Sequence, residues 1–230
     1  IINCVYDCEY CYLQGVYSSG NIVIFVDIEK VFEEVEELYN KLKSLYLCVS
    51  YDTDLLAIEN ICAFSEKWYH FIKDKKDLKI ELRTKSGNID KFLNLDVLDN
   101  FIIAFTLSPE DIALKSEKYT ASFKNRVKAI KELQNKGWKV RICIDPLIYT
   151  DDFEKNYSEM IEYLFSEIDK NKVIDVSIGV FRTSKEYLKK MRNQNKKSEI
   201  LYYPFECIDG VYTYSDKTKS YMINFIKEQF

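Results

Sequence analysis

The segment CVYDCEYC, residues 4–11, places three of the chain's seven cysteines within eight residues, at the spacing C-x3-C-x2-C. Three thiolates this close together can converge on one soft metal centre only where the chain curls into a loop. Neither a long helix nor a strand could present all three on one side. The segment therefore predicts a metal centre held by Cys4, Cys8 and Cys11.

The other possible ligands bear on which metal this is. A structural zinc site takes four ligands, typically with a second pair at its own short spacing. The remaining cysteines are single and far apart, at Cys48, Cys62, Cys143 and Cys207, and the only histidine, His70, lies in a predicted amphipathic helix. A 4Fe–4S cluster can take three cysteines and leave one iron open for a substrate or cofactor. The pattern favours the cluster, and zinc or three structural or redox thiols are the alternatives.

Composition excludes several classes of protein. The 230 residues are 47% hydrophobic and 30% charged with a net charge of -4, which excludes a disordered or collagen-like chain. No apolar run approaches the roughly 20 residues of a membrane helix, so we expect a soluble protein. The odd cysteine count and the absence of a secretory signal predict a reducing cytoplasm. Because the chain opens at Ile1 and not Met, we expect natural residues before it.

Apolar runs alternate with stretches of helical period along the whole chain. Strands are predicted at 22–26, 45–49, 78–83, 101–106, 138–144 and 173–180, and helices at 28–44, 55–72, 121–134, 153–168, 184–191 and 216–230. Such alternation is typical of parallel βα units, in a barrel or an open doubly wound sheet. In either fold, ligands gather at the carboxyl ends of the strands. No repeat, linker or composition shift divides the chain.

The cysteine segment also resembles a known family. C-x3-C-x2-C with Tyr10 before the last cysteine resembles the radical S-adenosylmethionine (AdoMet) superfamily. The continuation YCYLQ, residues 10–14, is similar to the spore photoproduct lyase family, DNA-repair enzymes that reverse a thymine dimer. Weaker similarity reaches about residue 175, through segments that include YDTD at 51–54, RTK at 83–85, FTLS at 105–108 and ICIDPLIY at 142–149.

The resemblance implies an α/β fold, a partial (β/α)6 barrel with a mostly parallel sheet and outer helices. It implies one domain over residues 1–230, with a C-terminal extension from 198 and a first barrel strand before Ile1. Cys4, Cys8 and Cys11 would bind three irons, and AdoMet would chelate the fourth and be cleaved to a 5'-deoxyadenosyl radical. The implied partners are damaged DNA and an electron donor such as flavodoxin or ferredoxin.

The resemblance also assigns roles beside the cluster. Tyr10 matches an aromatic near the adenine, and Tyr12 matches a tyrosine of a radical relay. Thr53, Lys85 and Thr106 stand where the family has polar cofactor contacts. Lys85 and Thr106 directly follow apolar strands, where a barrel keeps its site, and Lys85 could meet the methionine carboxylate. Without the resemblance, a solvated lysine and a strand-forming threonine are the ordinary interpretations.

Two departures from the family bear on the substrate. Tyr51 stands where the family has its hydrogen-donating cysteine, and it could itself donate a hydrogen atom. Cys48, three residues earlier, is expected to pack inside an apolar strand. Glu206 and Cys207 replace an Arg-Tyr pair that engages damaged DNA, and Cys207 is an alternative thiol for the site.

Basic residues between 185 and 197 could contact a phosphate backbone or form a solvated helix face.

From the cysteine segment and the family resemblance, we expect a lyase-type radical AdoMet enzyme that repairs thymine photoproducts. The alternatives are a relative acting on a peptide, nucleotide or small molecule, and a zinc-stabilised binding module.

Overall fold

The computed structural model describes all residues from Ile1 to Phe230, and a five-stranded parallel sheet forms its centre. The strands are β1 (Asp7–Cys8), β2 (Leu45–Cys48), β3 (Leu78–Thr84), β4 (Phe101–Thr106), β5 (Glu117–Lys118), β6 (Val140–Leu147), β7 (Val173–Val180), β8 (Arg182–Ser184), β9 (Glu206–Ile208) and β10 (Val211–Thr213). The α-helices are α1 (Leu13–Val16), α2 (Ile28–Leu42), α3 (Glu59–Cys62), α4 (Phe64–Ile72), α5 (Asp90–Leu93), α6 (Glu110–Ser116), α7 (Phe123–Lys136), α8 (Phe153–Glu167), α9 (Lys185–Gln194) and α10 (Asp216–Glu228). Two 3-10 turns occupy Leu56–Ile58 and Lys170–Lys172.

The central sheet has the strand order β2-β3-β4-β6-β7, with every neighbouring pair parallel. Strands that follow one another in this series therefore lie side by side, with helices in the connections, as βα units require. The sheet curls into a half barrel with its carboxyl ends along one edge. The predicted fold class, an α/β partial barrel with a mostly parallel sheet and outer helices, is confirmed, and the central sheet has five strands where the (β/α)6 barrel implied six.

One face of the sheet is apolar and forms the core. Its inner strands contribute alternate residues such as Ile80, Leu82, Ile103 and Phe105, all essentially inaccessible to solvent. Trp138 is also fully buried, and its indole N–H donates a 3.0 Å hydrogen bond to the carbonyl of Phe92. These contacts fix the helices on the convex side of the half barrel.

The concave face of the same strands is polar. Glu81 accepts hydrogen bonds from Arg83 at 3.0 Å and from Arg141 and Tyr46, and Arg141 also pairs with Asp175 at 2.6 Å. Because side chains alternate along a strand, this charged layer lies opposite the apolar core. The interior of the half barrel is therefore suited to a polar ligand.

Two predicted elements were wrong. Residues 22–26, predicted as a buried strand, are irregular apart from one bridge between Ile2 and Val23, and Val26 is 80% exposed. Local β propensity alone does not make a strand, because a strand also needs a pairing edge. The predicted helix 55–72 is interrupted at Ala63, which has φ 51. There the carboxylate of Glu59 accepts the backbone N–H groups of Ser65 and Glu66 at 3.0 Å and starts a new helix.

The C-terminal part packs on the segment that follows the cysteines. Strands β8, β10 and β9 form an antiparallel sheet, and α9 lies directly against α1. A Cβ atom at Gly15 would come within 2.3 Å of Tyr187, so only glycine permits this approach. Lys190 donates a 2.7 Å hydrogen bond to the carbonyl of Gly15.

None of the helices combines the length and the apolar character that a membrane span requires.

Candidate active site

All nine predicted site residues line one cavity of about 390 Å³. The cavity lies at the carboxyl ends of β2, β3, β4 and β6, on the concave side of the sheet. The predicted residues that line it are Cys4, Cys8, Tyr10, Cys11, Tyr12, Tyr51, Thr53, Lys85 and Thr106. Four separate segments of the chain therefore meet at one place, as a site at the carboxyl edge of a parallel sheet requires.

The cysteine segment is held as a curled loop. Strand β1 pairs with β5, and the backbone N–H of Cys11 donates to the carbonyl of Cys8 at 3.0 Å. None of the thiols is in a disulfide. Burial raises the pKa of Cys4 to about 11 and that of Cys8 to about 12, and it also raises the pKa of Cys11. Three desolvated thiols thus face one cavity, a donor set that fits a soft metal centre.

The three thiols are not arranged around a single point. No group of three or more His, Cys, Asp or Glu side chains is positioned to hold one metal ion. Thiolates that bind a cubane cluster attach to different irons, so they need to share a cavity but need not converge on one atom. The positions of Cys4, Cys8 and Cys11 meet that requirement.

Lys85 reaches the cysteine loop from the end of β3. Its Nζ donates to the hydroxyl of Tyr10 at 2.7 Å and to the Glu117 carboxylate at 3.1 Å, and it lies 3.7 Å from the sulfur of Cys8. The ammonium also sits 4.6 Å from the centre of the Tyr10 ring. Burial alone would lower the pKa of Lys85, but the Glu117 carboxylate holds it well above its usual value. With its side chain only 15% exposed, Lys85 is not a solvated loop charge.

Glu117 is the centre of a buried ionic network that the sequence analysis missed. Its carboxylate accepts hydrogen bonds from Lys85, from the fully buried Arg126, from Ser108 at 2.7 Å and from Tyr10. Burial alone would raise the pKa of Glu117, but Lys85 and Arg126 hold it far below its usual value. Arg126 also donates to the carbonyl of Thr106 at 2.9 Å. The network therefore ties the end of β4 to the cysteine loop.

Asp54 connects the loop after β2 to the end of β3. Its carboxylate accepts hydrogen bonds from the Thr84 hydroxyl at 2.8 Å, the Lys85 backbone N–H at 2.7 Å and the Ala57 N–H at 3.2 Å. Burial raises the pKa of this carboxyl. Asp54 and its neighbour Thr53 both line the cavity. By accepting these three hydrogen bonds, the Asp54 carboxylate fixes the backbone at Lys85.

The two tyrosines of the site lie in contact. Tyr12 donates a hydrogen bond to the backbone carbonyl of Tyr51, and the ring centres are 5.6 Å apart. Tyr51 is 72% exposed. Burial and the neighbouring Asp52 carboxylate raise the pKa of Tyr12 above its usual value. The pair forms one side of the cavity, open to solvent at Tyr51.

Neither Cys48 nor Cys207, the alternative thiol, lies in the cavity. Cys48 is exposed at the end of β2, so the expectation that it packs in an apolar interior was wrong. Cys207 is exposed on β9, and neither thiol lines the cavity. The cavity therefore contains no cysteine other than the three of the loop.

A charged group on the far wall of the cavity was not predicted from the sequence. Arg83, Asp145 and Arg182 line the cavity together with the apolar Val180 and Phe181. Arg83 lies in the RTK segment and Asp145 in the ICIDPLIY segment, but nothing local marks Arg182. The three residues become neighbours only when the sheet forms.

The sequence of this chain is similar to that of a known enzyme family. The family model "Spore photoproduct lyase" matches residues 1–201. The curated spore photoproduct lyase of Geobacillus sp. (strain Y412MC61) is 21% identical over 185 residues, which are 78% of this chain and 53% of that protein. The chain thus spans about half the length of this curated relative.

Solved structures show the same fold. A double mutant of spore photoproduct lyase with bound AdoMet and dinucleoside spore photoproduct aligns with TM-score 0.89 and 18% identity, over 99% of this chain and 71% of that one. The lyase complexed with dinucleoside spore photoproduct gives TM-score 0.87, also at 18% identity, over the same 99% and 71% of the two chains. Streptococcus suis SuiB bound to its precursor peptide SuiA gives TM-score 0.54 and 13% identity over 78% of this chain and 37% of that one. With the family model covering residues 1–201, this chain belongs to the spore photoproduct lyase family.

Proposed function

We propose that this chain is a radical AdoMet enzyme of lyase type that repairs the thymine dimer photoproduct of DNA. The observation that carries the proposal is the shared cavity of Cys4, Cys8 and Cys11 with residues from the ends of β2, β3 and β4. Family membership supports the reaction class, and the relatives named with AdoMet and dinucleoside spore photoproduct support the cofactor and the substrate.

The residues present fit a 4Fe–4S cluster. Cys4, Cys8 and Cys11 would each bind one iron through a thiolate, and the fourth iron would have no protein ligand and be open to AdoMet. When bound, the cluster and AdoMet supply a 5'-deoxyadenosyl radical that abstracts a hydrogen atom from the substrate. Tyr10, Thr53, Lys85 and Thr106 are the proposed AdoMet contacts.

The protein's own contribution is orientation and exclusion of water. The Glu117 network holds Tyr10 and Lys85 rigidly against the cysteine loop, since each of the four groups bonded to its carboxylate is buried or nearly so. Asp54 fixes the backbone of Lys85 from the other side. A site built on strand ends and buried ion pairs limits the movement available to a reactive intermediate.

Tyr12 and Tyr51 are the proposed hydrogen-transfer residues. Their contact at a ring separation of 5.6 Å gives a short path from the cavity toward solvent. Tyr51 is proposed to stand in for the family's cysteine, because no other thiol enters the cavity.

The proposed partners are photoproduct-containing DNA and a reduced electron donor such as flavodoxin or ferredoxin. A cytoplasmic location is also proposed, because an oxygen-sensitive cluster and seven free thiols are suited to a reducing compartment.

Anaerobic reconstitution with iron and sulfide tests the reaction class. We expect a brown protein that forms 5'-deoxyadenosine from AdoMet when a strong reductant is added. Zinc in the purified protein, together with no deoxyadenosine, would refute the cofactor assignment and favour a zinc-stabilised binding module.

Spore-photoproduct dinucleotide tests the substrate. We expect the reduced enzyme to convert it to thymidylyl-thymidine. Deoxyadenosine formation without any repair would retain the radical chemistry and refute the thymine substrate.

A further inference from the structure

Three charged side chains on the far wall of the cavity form an ordered row. One guanidinium nitrogen of Arg83 lies 3.8 Å from Oδ2 of Asp145, and one of Arg182 lies 3.7 Å from Oδ1. Direct N–H···O hydrogen bonds span about 2.7–3.2 Å. The carboxylate is therefore flanked by two guanidiniums without being closed off by either, and N–H groups and lone pairs remain for a ligand.

Neighbouring residues hold the row in place. Glu81 accepts the Nε and Nη2 hydrogens of Arg83 at 3.2 and 3.0 Å, and this leaves Nη1 toward Asp145. Arg182 is anchored by one hydrogen bond to the Val180 carbonyl at 3.2 Å. Gly179 makes room for the carboxylate, because a Cβ atom there would lie 2.7 Å from Asp145 Oδ1.

The charge balance of this wall favours a neutral polar ligand. The row continues through Glu81 into Arg141 and Asp175 on the concave face. Three guanidiniums and three carboxylates then cancel formally, so the wall carries no net field to attract a polyanion. What it offers is an alternating series of hydrogen-bond donors and acceptors beside the apolar side chains of Val180 and Phe181.

We propose that Arg83, Asp145 and Arg182 read the imide edge of a thymine ring in the substrate. That edge presents acceptor, donor and acceptor, at C4=O, N3–H and C2=O. The row presents the complement, because the guanidiniums donate and the carboxylate between them accepts. Val180 and Phe181 supply the apolar contact that a flat ring needs. This inference rests on the proposed function and assigns the residues that select its substrate class.

Binding of matched ligands to the reconstituted, AdoMet-loaded, unreduced protein tests the proposal. The two probes are dinucleoside spore photoproduct and its derivative methylated at N3 of both rings, which removes the donor that Asp145 would accept. Wild type is expected to bind the unmethylated compound on the order of 10- to 100-fold more tightly, because methylation removes the hydrogen bond to Asp145 and leaves that acceptor unpaired in the complex. Asp145→Ala is expected to remove this preference.

Two further variants keep the test independent of folding defects. Gly179→Ala keeps every charge but pushes the carboxylate aside, and it is expected to reduce the preference to below threefold. Asp151→Asn, an exposed carboxylate away from the cavity, is the control and is expected to keep the full preference.

Equal binding of the two probes by wild type, or a preference that survives Asp145→Ala, would overturn the inference. Failure of wild type to bind either probe would overturn it as well. The proposed cofactor chemistry is judged separately, by deoxyadenosine formation in the same wild-type preparation.

Discussion

The Nζ atom of Lys85 lies 3.7 Å from the sulfur of Cys8. Its other two N–H groups are occupied by Tyr10 and Glu117, so all three donors of the ammonium have partners within the protein. A fixed positive charge beside a cluster ligand stabilises the more negative, reduced state of the cluster. This contact gives Lys85 an electrostatic role toward the proposed cluster.

Replacing Lys85 by methionine is therefore expected to lower the reduction potential of the reconstituted cluster. The measurement is a redox titration followed by electron paramagnetic resonance, which does not depend on turnover. Lys91→Met is the matched control, since Lys91 forms an exposed ion pair with Glu66 on the helical side of the molecule. An unchanged potential in Lys85→Met would contradict the electrostatic role.

Cys8→Ala is expected to abolish both cluster binding and AdoMet cleavage, because the cluster would keep only two of its three cysteine ligands. Iron and sulfide content and deoxyadenosine yield are the measurements. Cys207→Ala, an exposed thiol outside the cavity, should retain both. Cleavage that survives in Cys8→Ala would refute the ligand assignment.

Glu117→Gln is expected to destabilise the fold by about 3–5 kcal/mol, because it leaves the charges of Lys85 and Arg126 buried without their carboxylate. Urea denaturation measures the change in the free energy of unfolding. The control is Glu110→Gln, whose partner Lys124 is exposed and 3.9 Å away, with an expected cost below about 1 kcal/mol. Similar costs for both substitutions would show that the network is not a stabilising centre.

The same substitution is expected to change how stability depends on pH. The pKa of Glu117 is lower in the folded protein than in the unfolded chain, where it is about 4.3. Its ionised form therefore stabilises the fold fully above about pH 5, and this stabilisation is lost as the pH falls toward the folded value. The stability difference between wild type and Glu117→Gln should shrink on acidification. A difference that stays constant from pH 7 to the acid limit of folding would contradict the assigned shift.

Tyr51→Phe is expected to alter the product distribution with spore-photoproduct dinucleotide, because it removes the O–H that the proposal uses to quench the substrate radical. Chromatography with mass spectrometry separates repaired from side products. Tyr202→Phe, an exposed tyrosine away from the cavity, is the control. An unchanged distribution in Tyr51→Phe would mean that this side chain only packs at the cavity mouth.

The parts of the fold that depend on local pattern could be predicted from the sequence. The strands Phe101–Thr106 and Val173–Val180 occur at their predicted bounds. A short apolar, β-branched run between two helical segments is typical of a buried strand in an α/β protein. Residues 22–26 have a similar composition and form no strand. The difference is that residues 22–26 pair with no strand of the sheet and make only the Ile2–Val23 bridge, and a pairing partner is not contained in any window of sequence.

The site could be predicted only where it follows a motif or a strand end. Tyr10 and Lys85, 75 residues apart, were both found because each lies in such a position. Glu117 and Arg126 lie in ordinary charged stretches, and their importance comes from full burial, which is a property of the folded chain. The Arg83–Asp145–Arg182 row was missed because its three members, which are partly exposed, become neighbours only in the folded chain.

The packing of α9 on α1 has a consequence for assembly. The cysteine loop is synthesised before α9, the helix that supports it, and 175 residues of chain separate Gly15 from Lys190. Tyr187 completes the same support against Gly15. A nascent chain therefore lacks this support for its cysteine loop until α9 has been synthesised. Completion of the proposed cluster site is thus coupled to the folding of the C-terminal part of the chain, through the packing of α9 on α1.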